Sequence, residues 1–161
     1  MASNRDYVIM LRESLEKKVD VLRILVVRNQ EQAAILKNPM SEPDELEKNI
    51  NLKAELIDRI TMLDDGFEQL FNKVKPEVEA HREEYADEIK KMQDLIRRIA
   101  DLTADVEAAE YKNREYAKEK FAKVKSDARE IKKNSEVVSK YYKTMMNPSK
   151  GVDPAFLDRK K

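Results

Sequence analysis

Residues 85–145 read YADEIKKMQDLIRRIADLTADVEAAEYKNREYAKEKFAKVKSDAREIKKNSEVVSKYYKTM, a sequence typical of one long helix. It contains neither Gly nor Pro, and its apolar residues recur every three or four positions, which places them on one face of a helix. A helix over residues 80–145 would be roughly 100 Å long. Because Glu, Lys, Ala, Leu and Arg make up close to half of the chain, the composition also predicts long helices or a coiled coil.

A shorter helix is predicted near the start of the chain. Apolar residues spaced by three and four positions run from Tyr7 to Leu36, so the first helix is expected over about 5–37. It should end at Asn38-Pro39, because proline lacks the amide that would continue the helical hydrogen bonds.

A second helix is predicted over about 42–74. Ser41, followed by Pro43 and Asp44, is typical of a capped helix start. At the other end we expect Pro76 to make a turn before the third helix, with a kink inside a continuing helix as the alternative.

Together these patterns predict an all-α protein. A short connection between the first two helices favours an antiparallel helical hairpin. The third helix would complete a three-helix coiled-coil bundle and, being about twice as long, project beyond it. We expect one helical domain over 1–146, with helices at about 5–37, 42–74 and 80–145, and a flexible tail over 147–161.

Composition also excludes several kinds of site. The 161 residues include no Cys, 1 His and only 2 Gly, which rules out a disulfide framework, the usual Cys/His zinc site and a Gly-rich phosphate loop. Paired acids such as Asp64 and Asp65 are expected on solvated helix faces, because slim helices provide little concave volume for the closed polar pocket that acid/base chemistry needs. No enzyme activity, metal or cofactor is predicted, and His81 is expected in solvent. The apolar runs are too short for membrane insertion, so we expect a cytoplasmic protein.

Charge is balanced overall but divided along the chain. The 32 Lys and Arg match 32 Asp and Glu. Segments 1–41, 42–75, 76–110 and 111–161 carry formal charges of +2, −4, −6 and +8. A basic segment such as the last one is typical of nucleic-acid binding. Here, however, acidic residues are interleaved with the basic ones, and no aromatic platform for stacking nucleobases accompanies them. Nucleic acid is therefore not predicted as a partner.

The third helix keeps a core-like apolar face beyond the predicted hairpin. We call this face the C-terminal stripe, and its candidate partner-binding residues are Ala117, Phe121, Val124, Ala128, Ile131, Val138, Tyr141, Tyr142 and Met145. Such a face packs within the chain, pairs with a second copy, or accepts another protein's helix. Ala117, Ala128 and Ser135 dilute the pattern, which mildly favours a foreign helix over a self-pairing zipper. The protein is expected to be a monomer or a homodimer.

Three stretches of the chain resemble the FlgN-type flagellar export chaperones. They are LDDGFE at 63–68, IKKMQDLI at 89–96, and YYK at 141–143 together with the end of the chain, FLDRKK at 156–161. The resemblance covers most of the sequence, and it rests on the order and spacing of these three stretches together.

The resemblance implies a cytosolic, all-helical chaperone for type III secretion. Proteins of this family hold hook-associated proteins before flagellar assembly and deliver them to the export apparatus, and their C-terminal amphipathic helix binds the client. Here that role would fall on the C-terminal stripe. The alternative is a homo-oligomeric coiled-coil structural or scaffold protein whose long helix pairs with itself.

Overall fold

The computed structural model describes residues 3–145, except for the side chains of 134, 135 and 137–145. Three helices make up this part of the chain: α1 (Asn4–Lys37), α2 (Pro43–Ala80) and α3 (Ala86–Met145). Residues 3–145 include no β-strand. The prediction of an all-α helical bundle with a long C-terminal helix is confirmed, since α3 has 60 residues against 34 in α1 and 38 in α2.

The chain divides into two units at residue 114. The N-terminal unit is Met1–Arg114 and contains α1, α2 and the first half of α3. The C-terminal unit is Glu115–Lys161 and contains the rest of α3. The expectation of one domain over 1–146 stays a prediction, and the expected tail, 147–161, lies outside the described residues.

Residues at each end of helix α1 determine where it begins and ends. The Ser3 hydroxyl accepts a hydrogen bond from the Asp6 amide at 3.2 Å, and the Asp6 carboxylate accepts one from the Ser3 amide at 3.0 Å. This reciprocal capping box satisfies two amides that have no partner inside the helix. The helix ends at Lys37, as Asn38-Pro39 predicts.

The predicted capping role of Ser41 is wrong, although α2 begins within a residue of the expected place. The residue before the helix is Glu42, whose side chain makes no capping hydrogen bond, and Pro43 occupies the first turn. The Ser41 hydroxyl instead contacts the carbonyl oxygens of Ile35 at 2.7 Å and Asn38 at 2.9 Å. Ser41 therefore helps to close the end of α1.

The predicted turn at Pro76 is also wrong, because α2 continues through it to Ala80. An internal proline removes one helical hydrogen bond and costs roughly 3 kcal/mol. Val74 is fully buried and Val78 is packed against the same cluster, so helical residues on both sides of Pro76 belong to the core. The turn comes later, over 81–85, and α3 begins at Ala86 rather than near residue 80.

Two apolar clusters show how the three helices run. In the first cluster, Val8 and Leu11 of α1 pack with Val74 of α2 and with Tyr85. Because the first turns of α1 meet the last turns of α2, these helices are antiparallel, as predicted.

The second apolar cluster lies further along the bundle. It joins Val21 and Leu25 of α1 to Leu56 of α2, and Val106 of α3 packs against it. Residues later in α1 therefore meet residues later in α3, so these two helices run in the same direction within the N-terminal unit.

Polar contacts hold the start of α3 against α1. Arg12 Nε donates to Glu88 Oε2 at 2.7 Å, and the same guanidinium also pairs with Glu16. The hydrogen bond to Glu88 is the main cause that raises the pKa of Arg12 above its usual value. Nearby, the Arg5 guanidinium lies 5.4 Å from the ring centre of Tyr85 and donates to the Glu84 carbonyl. These contacts fix the α2–α3 turn on the first turns of α1.

Candidate functional site

The C-terminal stripe lies on a regular helix in the C-terminal unit. Its large described members, Phe121, Val124 and Ile131, are 59 %, 58 % and 62 % exposed. Ala128 is also exposed, and Ala117 is partly buried. Because these five residues are spaced by four, three, four and three positions on one α-helix, they share a single face. The structure thus brings together the described half of the predicted site as an open apolar surface.

Four other predicted site residues lie outside the described side chains: Val138, Tyr141, Tyr142 and Met145. Their backbone belongs to α3, which extends to Met145. Their role as client-binding residues stays a prediction from the sequence.

Charged side chains border the described stripe. Lys118 is 74 % exposed and makes a 3.5 Å ion pair with Glu115 one turn earlier on the same helix. Lys120, Lys125 and Lys132 follow within the same four turns. Exposed ion pairs of this kind are weak and exchange readily with solvent or with a partner's charges. The apolar face is therefore edged mainly by positive charge.

A second apolar surface lies in the N-terminal unit, between α2 and the start of α3. It is a groove of about 230 Å³ whose lining includes Phe67, Phe71, Met92 and Ile96. The Phe67 and Phe71 rings stack with centroids 5.9 Å apart. Ile96 is half exposed, but Phe67 and Met92 already pack against the core cluster of Val8 and Val74. The groove is thus partly filled from within.

A buried polar layer is the feature that sequence reasoning missed. Its members are buried residues of all three helices: Asn29, Gln32, Asn49, Lys53 and Asn113. The signal was present, because Asn29 lies four positions after Leu25 and Gln32 lies four positions before Leu36 on the buried face of α1. Polar residues at such positions are either exposed or hydrogen-bonded to another helix.

Hydrogen bonds connect α1 to α2 across this layer. Gln32 Nε2 donates to Asn49 Oδ1 at 3.0 Å, and Gln32 Oε1 accepts from Lys53 Nζ at 3.2 Å. Asn49 Nδ2 donates to the Arg28 carbonyl at 2.8 Å. Lys53 Nζ also reaches Glu110 Oε1 of α3 at 2.5 Å, so its buried ammonium has a carboxylate partner. These four side chains fix the alignment of α2 and α3 on α1.

Asn29 is the exception in the layer. Its backbone carbonyl accepts a hydrogen bond from Asn113 Nδ2 at 3.0 Å. Its own side chain is buried, and within the described chain neither Asn29 Nδ2 nor Asn29 Oδ1 has a hydrogen-bond partner. A buried amide without partners destabilises the folded state.

The titratable groups that the sequence singled out are dispersed. His81 follows the end of α2, where its side chain is half exposed and lies 3.8 Å from Glu77. Asp64 makes a 2.7 Å ion pair with Lys18 of α1, and Asp65 is exposed. Among the residues whose side chains are described, no three acidic or histidine side chains are grouped as metal ligands would be.

Across the described part of the chain, no helix combines the length and the apolar character that a membrane span requires.

Comparison with known proteins finds no relative. No family model matches the chain, no curated protein matches it, and no solved structure matches it. The resemblance to FlgN-type chaperones therefore stays a prediction.

Proposed function

We propose that this chain is a FlgN-type export chaperone acting in the cytoplasm. It would bind amphipathic helices of flagellar hook-associated proteins along the C-terminal stripe, prevent their premature assembly and deliver them for type III secretion. The observation that carries the proposal is the open face of Phe121, Val124 and Ile131, each about three-fifths exposed on one regular helix. A face of this width and spacing is complementary to another amphipathic helix.

The size of this face suits reversible binding. Burying Phe121, Val124 and Ile131 would contribute a gross ~5 to 9 kcal/mol, at ~1.5 to 3 kcal/mol for each side chain. Association and side-chain ordering cancel much of this gain. The described half of the stripe therefore supports weak binding, and micromolar affinity requires the whole stripe as far as Met145. Moderate affinity is appropriate for a chaperone that must release its client.

The test is the molar mass of the protein, alone and mixed with purified hook-associated proteins, by size-exclusion chromatography with light scattering. We expect a defined complex that Phe121→Asp or Ile131→Asp abolishes, because each change places a carboxylate on the client-binding face. Both variants should keep the helical content and unfolding midpoint of the unmodified protein, since both residues are exposed. Met62→Asp is the matched control, because Met62 is 72 % exposed on α2 in the N-terminal unit. Unchanged complexes with both stripe variants would refute the proposal.

A homo-oligomeric coiled-coil scaffold is the second candidate function. The four-and-three spacing from Ala117 to Ile131 favours it, because that repeat also suits pairing with a second copy. The same chromatography separates the two functions. A salt-resistant dimer that ignores every hook-associated protein, and that Ile131→Asp dissociates, would favour the scaffold.

A further inference from the structure

The described stripe has a coiled-coil register with a charged edge. In heptad notation, Phe121 and Ala128 occupy a positions, and Ala117, Val124 and Ile131 occupy d positions. The next position after each d residue is e, which borders the apolar seam and faces the partner's edge.

Every e position in this segment is lysine. Lys118, Lys125 and Lys132 are seven residues apart, so they form one row along the edge of the stripe. Lys118 and Lys125 are exposed, and Lys132 is partly exposed. We call these three residues the lysine row. The opposite edge, at g, is mixed, with Lys120 followed by Asp127.

We infer that the partner of the C-terminal stripe is an acidic amphipathic helix, with carboxylates at the positions that face the lysine row. This inference rests on the proposed function, because it names the chemistry of the helix bound there. Charges at e and g determine which helices pair, and an all-lysine edge attracts a carboxylate edge while repelling a basic one. The partner can run in either direction, since e faces g in a parallel pair and e in an antiparallel pair.

The same row opposes pairing between two copies of this chain. An antiparallel pair would set the lysine row against the lysine row of the second copy. A parallel pair would oppose Lys120 to Lys125 and gain only the attraction of Asp127 for Lys132. Self-pairing thus brings like charges together in the antiparallel pair and gains no net attraction in the parallel pair. An acidic helix is attracted in both orientations.

Two synthetic peptides test the inference against the full-length protein. Both have leucine at every a and d position, and they differ only at e and g, which are all glutamate in one peptide and all lysine in the other. Neither peptide pairs readily with itself, because its own edges repel. Each exposed ion pair changes affinity by about 1.4- to 5-fold, so across three pairs we expect about 3- to 125-fold tighter binding of the glutamate peptide. The preference should shrink as salt is raised, because these charges are exposed.

Charge reversal identifies the residues responsible. Replacing the whole row, as Lys118→Glu, Lys125→Glu and Lys132→Glu together, should invert the preference to favour the lysine peptide. The matched control is Lys123→Glu, Arg129→Glu and Lys133→Glu, which changes net charge equally at c, b and f positions away from the seam. It should keep the preference for glutamate. Circular dichroism establishes that both triple variants retain their helical content.

Two results would overturn the inference while leaving the proposed function in place. One is equal affinity for the two peptides, which would mean that the apolar face binds without regard to edge charge. The other is inversion by the control variant as large as by the lysine-row variant, which would assign the effect to net charge. If neither peptide binds, helix binding by the stripe itself is refuted, and the proposed function is lost with the inference.

Discussion

Replacing Asn29 by leucine is expected to stabilise the N-terminal unit. The Asn29 side chain is 1 % exposed, and neither of its polar atoms has a partner in the described chain. The hydrogen bond from Asn113 goes to the Asn29 backbone carbonyl, which the substitution keeps. Asn and Leu side chains have the same number of heavy atoms and the same branch at Cγ, so the change exchanges an unsatisfied amide for apolar contact.

The expected gain follows from the cost of the buried amide. Leaving one buried polar group without a partner costs about 1 to 3 kcal/mol. Leucine also has a higher helix propensity than asparagine, by a few tenths of a kcal/mol. We therefore expect Asn29→Leu to raise the free energy of unfolding by about 1 to 3 kcal/mol. For a chain of this size, that corresponds to a melting temperature higher by about 2 to 12 °C.

The measurement is urea and thermal unfolding followed by circular dichroism, with Gln32→Leu as the contrasting variant. Gln32 lies one turn later on the same buried face, but its amide is paired with Asn49 and Lys53. Leucine there would strip a hydrogen bond from the buried Lys53 ammonium and leave Asn49 Oδ1 without its donor, so we expect a loss of about 1 to 3 kcal/mol. The same substitution three residues apart should thus have opposite effects. A lower free energy of unfolding for Asn29→Leu would contradict this prediction, since it would mean that the Asn29 amide is satisfied in solution.

Two changes within α2 give further predictions. Gly66→Ala should raise the free energy of unfolding by about 0.5 to 1 kcal/mol, because a methyl group there meets no atom within 4 Å and alanine restricts the unfolded chain; a lower urea midpoint would contradict this. Pro76→Ala should stabilise the protein by about 1 to 3 kcal/mol, because alanine restores the amide that an internal proline lacks. If Pro76→Ala leaves the unfolding midpoint unchanged, the cost assigned to this proline is wrong.

The helices were largely predictable because their signals are local. The spacing of apolar residues, Pro39 after α1 and the absence of Gly and Pro over 80–145 each act within a few residues. They placed the end of α1 at Lys37 and the start of α2 within a residue of Pro43. The wrongly predicted turn at Pro76 has the same cause. Local rules take account of the proline but not of the packing of Val74 and Val78 on either side of it.

Local rules could not predict the buried polar layer. Whether Asn29 and Gln32 face solvent or the core depends on residues that are distant in sequence. Gln32 meets Asn49 seventeen positions away, and Asn29 meets Asn113 eighty-four positions away. Whether a polar residue in an apolar stripe can be buried with its hydrogen bonds made depends on whether another helix supplies the partner.

The helical character of this protein, the end of α1 and the apolar face of the long third helix all follow from the amino-acid order alone, because helical hydrogen bonds and side-chain spacing are properties of neighbouring residues. Packing between the helices is what carries α2 through Pro76, forms a polar layer across the N-terminal unit and buries Asn29 without a partner among the described residues. It also left Phe121, Val124 and Ile131 exposed. Burial is a relation between distant segments, and its free energy exists only once those segments meet.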